Sequence, residues 1–140
     1  MNFEQLSADT VCLAPDVLLT PDGVKSDWAI KYIGKKIVGI GPSKHYPGAT
    51  RLPGRAIIPG FVDAHTHVGQ IFGKALIGGE PAQIWRRIWH PMEREMSQQQ
   101  CYLSAKWAFW EALRGGFTKV VNYGLNSIEK NKGVHEAASE

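Results

Sequence analysis

Apolar positions along this chain of 140 residues follow two rhythms, and the change between them predicts how it is organised. As far as Pro42 they come in short runs cut by turn formers. Thr10 to Ala14 and Val17 to Thr20 read as strands, and Pro21-Asp22-Gly23 as a tight turn. Asp27 to Ile33 and Lys36 to Pro42 read as a hairpin closed at Gly34-Lys35. Ser43 to Gly54, rich in Pro and Gly, reads as a loop bordering this β unit. The β-branched run Ile57 to Ala64 then predicts a buried strand, and beyond it the period moves from two towards 3.6. One helix is predicted from about Pro81 through Trp89, with a break or kink near Pro91, which cannot donate to the helix ladder. A second opens on Ser97-Gln98-Gln99-Gln100, a capping box, and sets Cys101, Ala105, Ala108, Phe109 and Ala112 on one face until Gly115-Gly116 ends it. Phe117 to Asn122 reads as another strand, which makes strand, helical crossover, strand, the unit of a parallel sheet. Val134 to Glu140 reads as the opening turns of a further helix. The fold class is α/β, divided into residues 1–56 and residues 57–140.

Composition narrows the function classes. Apolar residues make up 44% of the chain, enough to fold around a core. The net charge is +3 and the basic residues are scattered, with Lys35-Lys36 and Arg86-Arg87 as doublets, the latter reading as a solvated face. This is no concentrated patch for nucleic acid. Met1 to Thr10 lacks the basic start and apolar core of a secretory signal, so the expected location is cytoplasmic. No apolar run approaches the roughly 18 to 20 residues that span a bilayer, so no membrane partner is expected. Cys12 and Cys101 stand in no metal spacing and read as buried free thiols.

The chemistry concentrates in His65 and His67, which follow the run Ile57 to Ala64. Along a strand, residues i and i+2 point to the same side, so two imidazoles would converge on one point, a metal-ligand geometry. On spacing alone, two histidines adjacent in a loop, or one hydrogen-bonded in a core, stand equally open.

The run Pro59-Gly60-Phe61-Val62-Asp63-Ala64-His65-Thr66-His67 follows a β unit that contains Gly34-Lys35-Lys36-Ile37-Val38-Gly39-Ile40-Gly41. In that setting it resembles the amidohydrolase superfamily of metal-dependent hydrolases, and within it the cytosine deaminase and chlorohydrolase-like branch. Glu111 to Asn122 resembles that branch's helix leading into its second barrel strand, while Gln70 and Ile84-Trp85 resemble its triazine hydrolase subgroup. The resemblance implies part of a β-sandwich followed by the start of a (β/α)8 TIM barrel, whose sites lie at the C-terminal strand ends. It implies His65 and His67 as ligands of a divalent metal, Zn or Fe, with Gln70 and Trp85 as substrate contacts. The implied reaction is attack of metal-activated water on a small nitrogen heterocycle, breaking a non-peptide C–N or C–halide bond.

Such a reaction needs further histidines on later strands and a terminal aspartate, and a barrel takes at least ~200 residues. The sequence therefore reads as an N-terminal fragment, inactive alone and without its own catalytic acid or base. His45, His90 and His135 read as surface or interfacial histidines. Asp63 reads as a structural partner of the pair, and Gln70 either as a substrate contact or as satisfying loop backbone. Trp85 and Trp89 lie four apart on one helix face, where packing is the default and pocket lining the lesser reading. Asn122 stands at a strand end, but the resembling branch often has an acidic residue nearby, so no catalytic part is expected of it. The expected partner is a small heterocyclic substrate, and homo-oligomerisation of a full-length chain stays open. A degenerate, non-catalytic binding or assembly module that retains the first ligand pair is the alternative. A nucleic-acid-binding β module would require strongly salt-dependent binding and runs against the dispersed charge.

Overall fold

A computed structural model of the chain describes residues 10–76 and 83–140. Most of the N-terminal stretch read above, and the start of the helix expected from Pro81, lie outside the described residues. The chain is mixed α/β and divides into two units, one ending at Pro59 and one beginning at Gly60. The division falls past residue 56 because Ile57 still pairs with Leu18.

In the first unit β1 (Thr10–Thr20) is the hub. It pairs antiparallel with β2 (Gly23–Lys25) and β3 (Trp28–Ile33), and parallel with β5 (Thr50–Ile57). β4 (Lys36–Pro42) forms the expected hairpin with β3, Ile33 opposite Lys36. Two expected strands thus merge into one, and the expected loop from Ser43 to Gly54 instead holds a 3-10 turn at Ser43–His45 and the first half of β5. Pro15 and Pro53 disguise both strands, since proline removes a ladder donor. The sheet absorbs Pro15 by a register shift between it and Val17, where Asp16 Oδ2 accepts from the Gly54 N–H at 2.6 Å. Ala14, Leu18 and Ala29 are buried.

In the second unit β6 (Phe61–Thr66) and β7 (Phe117–Asn122) pair in parallel. β7 covers the predicted residues. The run Ile57 to Ala64 is not one strand, however, because Ile57 closes β5 and residues 58–60 leave the ladder before Phe61 starts β6. Nor is it buried: Phe61 and Val62 are more than half exposed, since among the described residues β6 has β7 as its one ladder neighbour.

The crossover runs through a 3-10 segment (Val68–Leu76), a π turn (Trp85–Trp89), α1 (His90–Glu95) and α2 (Gln98–Arg114). Pro91 does not break it. The His90 N–H donates to Trp85 O, five residues back, so the helix runs on through a wider π turn directly ahead of Pro91, which has no N–H to donate and sits in the first turn of α1. α2 starts as predicted, with Ser97 Oγ accepting from the Gln100 N–H at 3.2 Å and Gln100 Oε1 accepting from the Ser97 N–H at 2.8 Å. It ends at Gly115-Gly116, where Gly116 takes φ +83°, a conformation that favours glycine.

α3 (Ile128–Ala138) begins six residues before Val134, capped by Ser127, whose Oγ accepts from the Lys130 N–H at 3.3 Å. Gly133 disguises this helix, because glycine lowers helix propensity. Here it permits close packing: a Cβ at Gly133 would lie 2.4 Å from Gln98 O on α2. The core gathers Val68, Met96, Cys101, Ala105, Val134 and Ala137. Burial pushes the Cys101 thiol pKa up, whereas Cys12, expected to be buried, is half-buried.

Candidate metal centre

His65 and His67 flank the end of β6, one as its penultimate residue and one just past it. Their ring centroids lie 5.0 Å apart and the rings are nearly perpendicular, at 81°. The i, i+2 alternation of the strand puts them side by side. Among the described residues no hydrogen bond occupies either pair of ring nitrogens. Two adjacent imidazoles fit half of a four-coordinate nitrogen-donor site, and no group of three or more His, Cys, Asp or Glu that could hold an ion is found among the described residues.

Tyr123, the residue after β7, joins them, its ring 5.7 Å from His65 and 5.4 Å from His67. Its N–H donates to Thr66 O at 2.7 Å, which continues the parallel pairing beyond Thr66 and Asn122. Trp85 stands edge-on to His67 at 5.7 Å, and His90 lies 5.3 Å from Trp85. The fold thus brings Trp85 to the histidines, and His90, though exposed, belongs to the same aromatic row. Tyr123 is the residue that sequence reasoning misses. Its place beside the pair depends on the pairing of β6 with β7, whose register shifts between Asp63 and Thr66.

Gln70 is only 6% exposed, and its Nε2 donates to Glu93 Oε1 on α1. It borders a cavity of about 410 Å³ whose wall includes Asp63, His67, Lys74 and Glu111. The Lys74 ammonium bonded to Glu111 at 2.6 Å, helped by Trp107 Nε1, holds the Glu111 carboxyl below the usual carboxylate range. Asp63 Oδ1 accepts from the His65 N–H at 3.1 Å, and Asn122 Oδ1 accepts from the Val68 N–H at 3.0 Å. Both side chains are thereby engaged with backbone around the pair. Trp89 borders the same cavity, His135 lies in the last turn of α3, and His45 belongs to the first unit.

The sequence profile of the amidohydrolase family matches residues 56–140. The chain belongs to the amidohydrolase family. The matched segment takes in the whole strand, crossover and strand unit that carries the histidine pair. This amidohydrolase-family chain is 31% identical over 107 residues to a 5-methylthioadenosine/S-adenosylhomocysteine deaminase of Pelotomaculum thermopropionicum, covering 70% of this chain and 24% of that protein. Its fold is similar to guanine deaminase from Bradyrhizobium japonicum, with a TM-score of 0.74 at 19% identity, covering 93% of this chain and 32% of the other. It is also similar to triazine hydrolase from Arthobacter aurescens, with a TM-score of 0.65 at 20% identity, covering 93% and 33% respectively. The chain spans about a quarter of the length of the curated relatives it matches. Among the described residues no helix is long and apolar enough to cross a membrane.

Proposed function

We propose that this amidohydrolase-family chain carries the first two metal ligands of a hydrolase acting on a non-peptide C–N bond of a small nitrogen heterocycle. Aminated purines and their nucleosides are the first class to test, and a C–halide bond on a similar ring is the other leaving group. In this reading the first unit belongs to a β-sandwich, and β6, the crossover and β7 open a (β/α)8 barrel. The observation that carries the reading is the placement of His65 and His67 side by side at the C-terminal end of β6, next to the end of parallel β7.

His65 and His67 would hold a divalent ion, Zn or Fe, which when bound supplies a Lewis acid and an acidified water. Trp85 and Tyr123 supply ring surfaces beside the pair on which a planar heterocycle can lie. Gln70, anchored by Glu93, borders the same region as a candidate substrate contact. Two imidazoles make half of a ligand set, so the chain alone is expected to bind zinc weakly and turn over nothing.

Calorimetric zinc titration of the chain and of its His65→Ala/His67→Ala double variant tests the ligands. Weak uptake lost in the double variant supports them. A longer product carrying this sequence, loaded with metal, is expected to release ammonia or halide from members of the heterocycle panel, and its His67→Ala variant none. Failure on every aminated and halogenated heterocycle overturns the hydrolase reading. It favours the second one, a non-catalytic module keeping the first ligand pair.

A further inference from the structure

We infer that Ser104 and Asn122 are positioning residues that clamp the peptide following His67 and so set where its imidazole stands. Their effect on metal rests on the ligand reading above, but the clamp is a statement about backbone. Val68 is buried, so both of its peptide groups need partners away from water. β6 has already ended at Thr66, and no ladder strand supplies them. Asn122 Oδ1, from the end of β7, accepts from the Val68 N–H at 3.0 Å. Ser104 Oγ, wholly buried on α2, donates to Val68 O at 3.0 Å and accepts from the Ile71 N–H at 3.2 Å. One hydroxyl thereby uses its proton on Val68 O and a lone pair on the Ile71 N–H three residues on.

The peptide before His67 and the carbonyl of the His67–Val68 peptide are held as well. The Tyr123 N–H donates to Thr66 O at 2.7 Å, and the Gln70 N–H to His67 O at 2.9 Å. His65 differs, since its N–H is held locally by Asp63 two residues back. The backbone after His67 is therefore held from α2 and β7 as well as locally by Gln70, whereas the hydrogen bond at the His65 N–H comes from its own strand. Two ligands separated by one residue bind an ion only if their separation is held, which makes the remotely anchored one the sensitive member.

The test uses the chain with ¹⁵N-labelled histidine and three variants. Asn122→Leu removes the acceptor at similar size, Asn122→Asp keeps an acceptor oxygen, and Ser104→Ala removes the hydroxyl. Without metal, Asn122→Leu and Ser104→Ala should shift or broaden the His67 ring signals and leave those of His65 in place, Asn122→Leu should speed exchange of the Val68 amide by about tenfold, and Ser104→Ala that of the Ile71 amide by about tenfold. Asn122→Asp should match the parent. With Co²⁺ added, affinity should fall by about tenfold in the two disruptive variants and be retained in Asn122→Asp. Unmoved His67 signals in folded Asn122→Leu overturn the clamp, as does Asn122→Asp impaired as much as Asn122→Leu, or equal disturbance of both histidines. Should Ser104→Ala fail to fold, the two Asn122 variants decide. A parent that takes up no Co²⁺ removes the ligand reading, while the His67 signals and Val68 exchange still decide the clamp.

Discussion

Val134 and Val121 are the same side chain in two settings of one unit. On α3, Val134 is 7% exposed and shares a cluster with Cys101 and Ala105 of α2; on β7, Val121 is 51% exposed. Phe61 and Val62 on β6 resemble Val121, whereas Ala137 and Met96 resemble Val134. Apolar burial, the largest favourable contribution to folding, is therefore concentrated where helices meet one another and the 3-10 segment. The strand pair, which carries the histidines, contributes little of it. The strand ends take their order instead from directed hydrogen bonds, with Ser104 as the link from the buried helix layer to the peptide beside His67.

If the helix contact holds this unit together, Gly133→Ala should have the largest effect. The added methyl must displace Gln98 O and the Tyr102 N, which are backbone atoms, and a loss of about 3 kcal/mol is expected from urea unfolding. A change below about 0.5 kcal/mol would mean that this contact is slack and does not hold the unit together. Matched substitutions then sharpen the contrast. Val134→Thr buries a hydroxyl in the cluster and should cost about 1 to 3 kcal/mol, whereas Val121→Thr should stay within about 0.5 kcal/mol in the same assay. Ser97→Ala removes the cap oxygen from the start of α2 and should cost about 1 kcal/mol, seen as a lower thermal midpoint.

The smallest effect concerns the exposed link between the 3-10 segment and α2. The Lys74 ammonium lowers the Glu111 pKa in the folded state, so the link stabilises fully above the ordinary carboxylate range and is lost as pH falls through the lowered value. Stability measured from pH 6 down to pH 3 should show a shallow extra decline that Glu111→Gln removes. An identical decline in parent and variant would leave the link without a part in stability.

Much of this was legible because it is local. The hairpin from Trp28 to Pro42, the Ser97 capping box, the stop at Gly115-Gly116 and the limits of β7 depend on residues a few positions apart. The adjacency of His65 and His67 follows from strand alternation in the same way. Proline and glycine misled where distant partners changed their meaning. Pro53 and Gly54 look like loop but lie in β5 because β1 offers a parallel edge, and Gly133 looks like a helix breaker but lies inside α3 because α2 approaches it.

Periodicity, capping and side-chain alternation are short-range properties of the covalent chain, so the hairpin, α2, β7 and the candidate ligand pair could be read directly from the order of residues. What surrounds those ligands could not. Tyr123 reaches His67 through the pairing of β6 with β7, Asn122 reaches Val68 from 54 residues away, and Ser104 from 36. A hydrogen bond made across such separations needs both partners delivered by packing, because neither residue's local preference encodes the other's position.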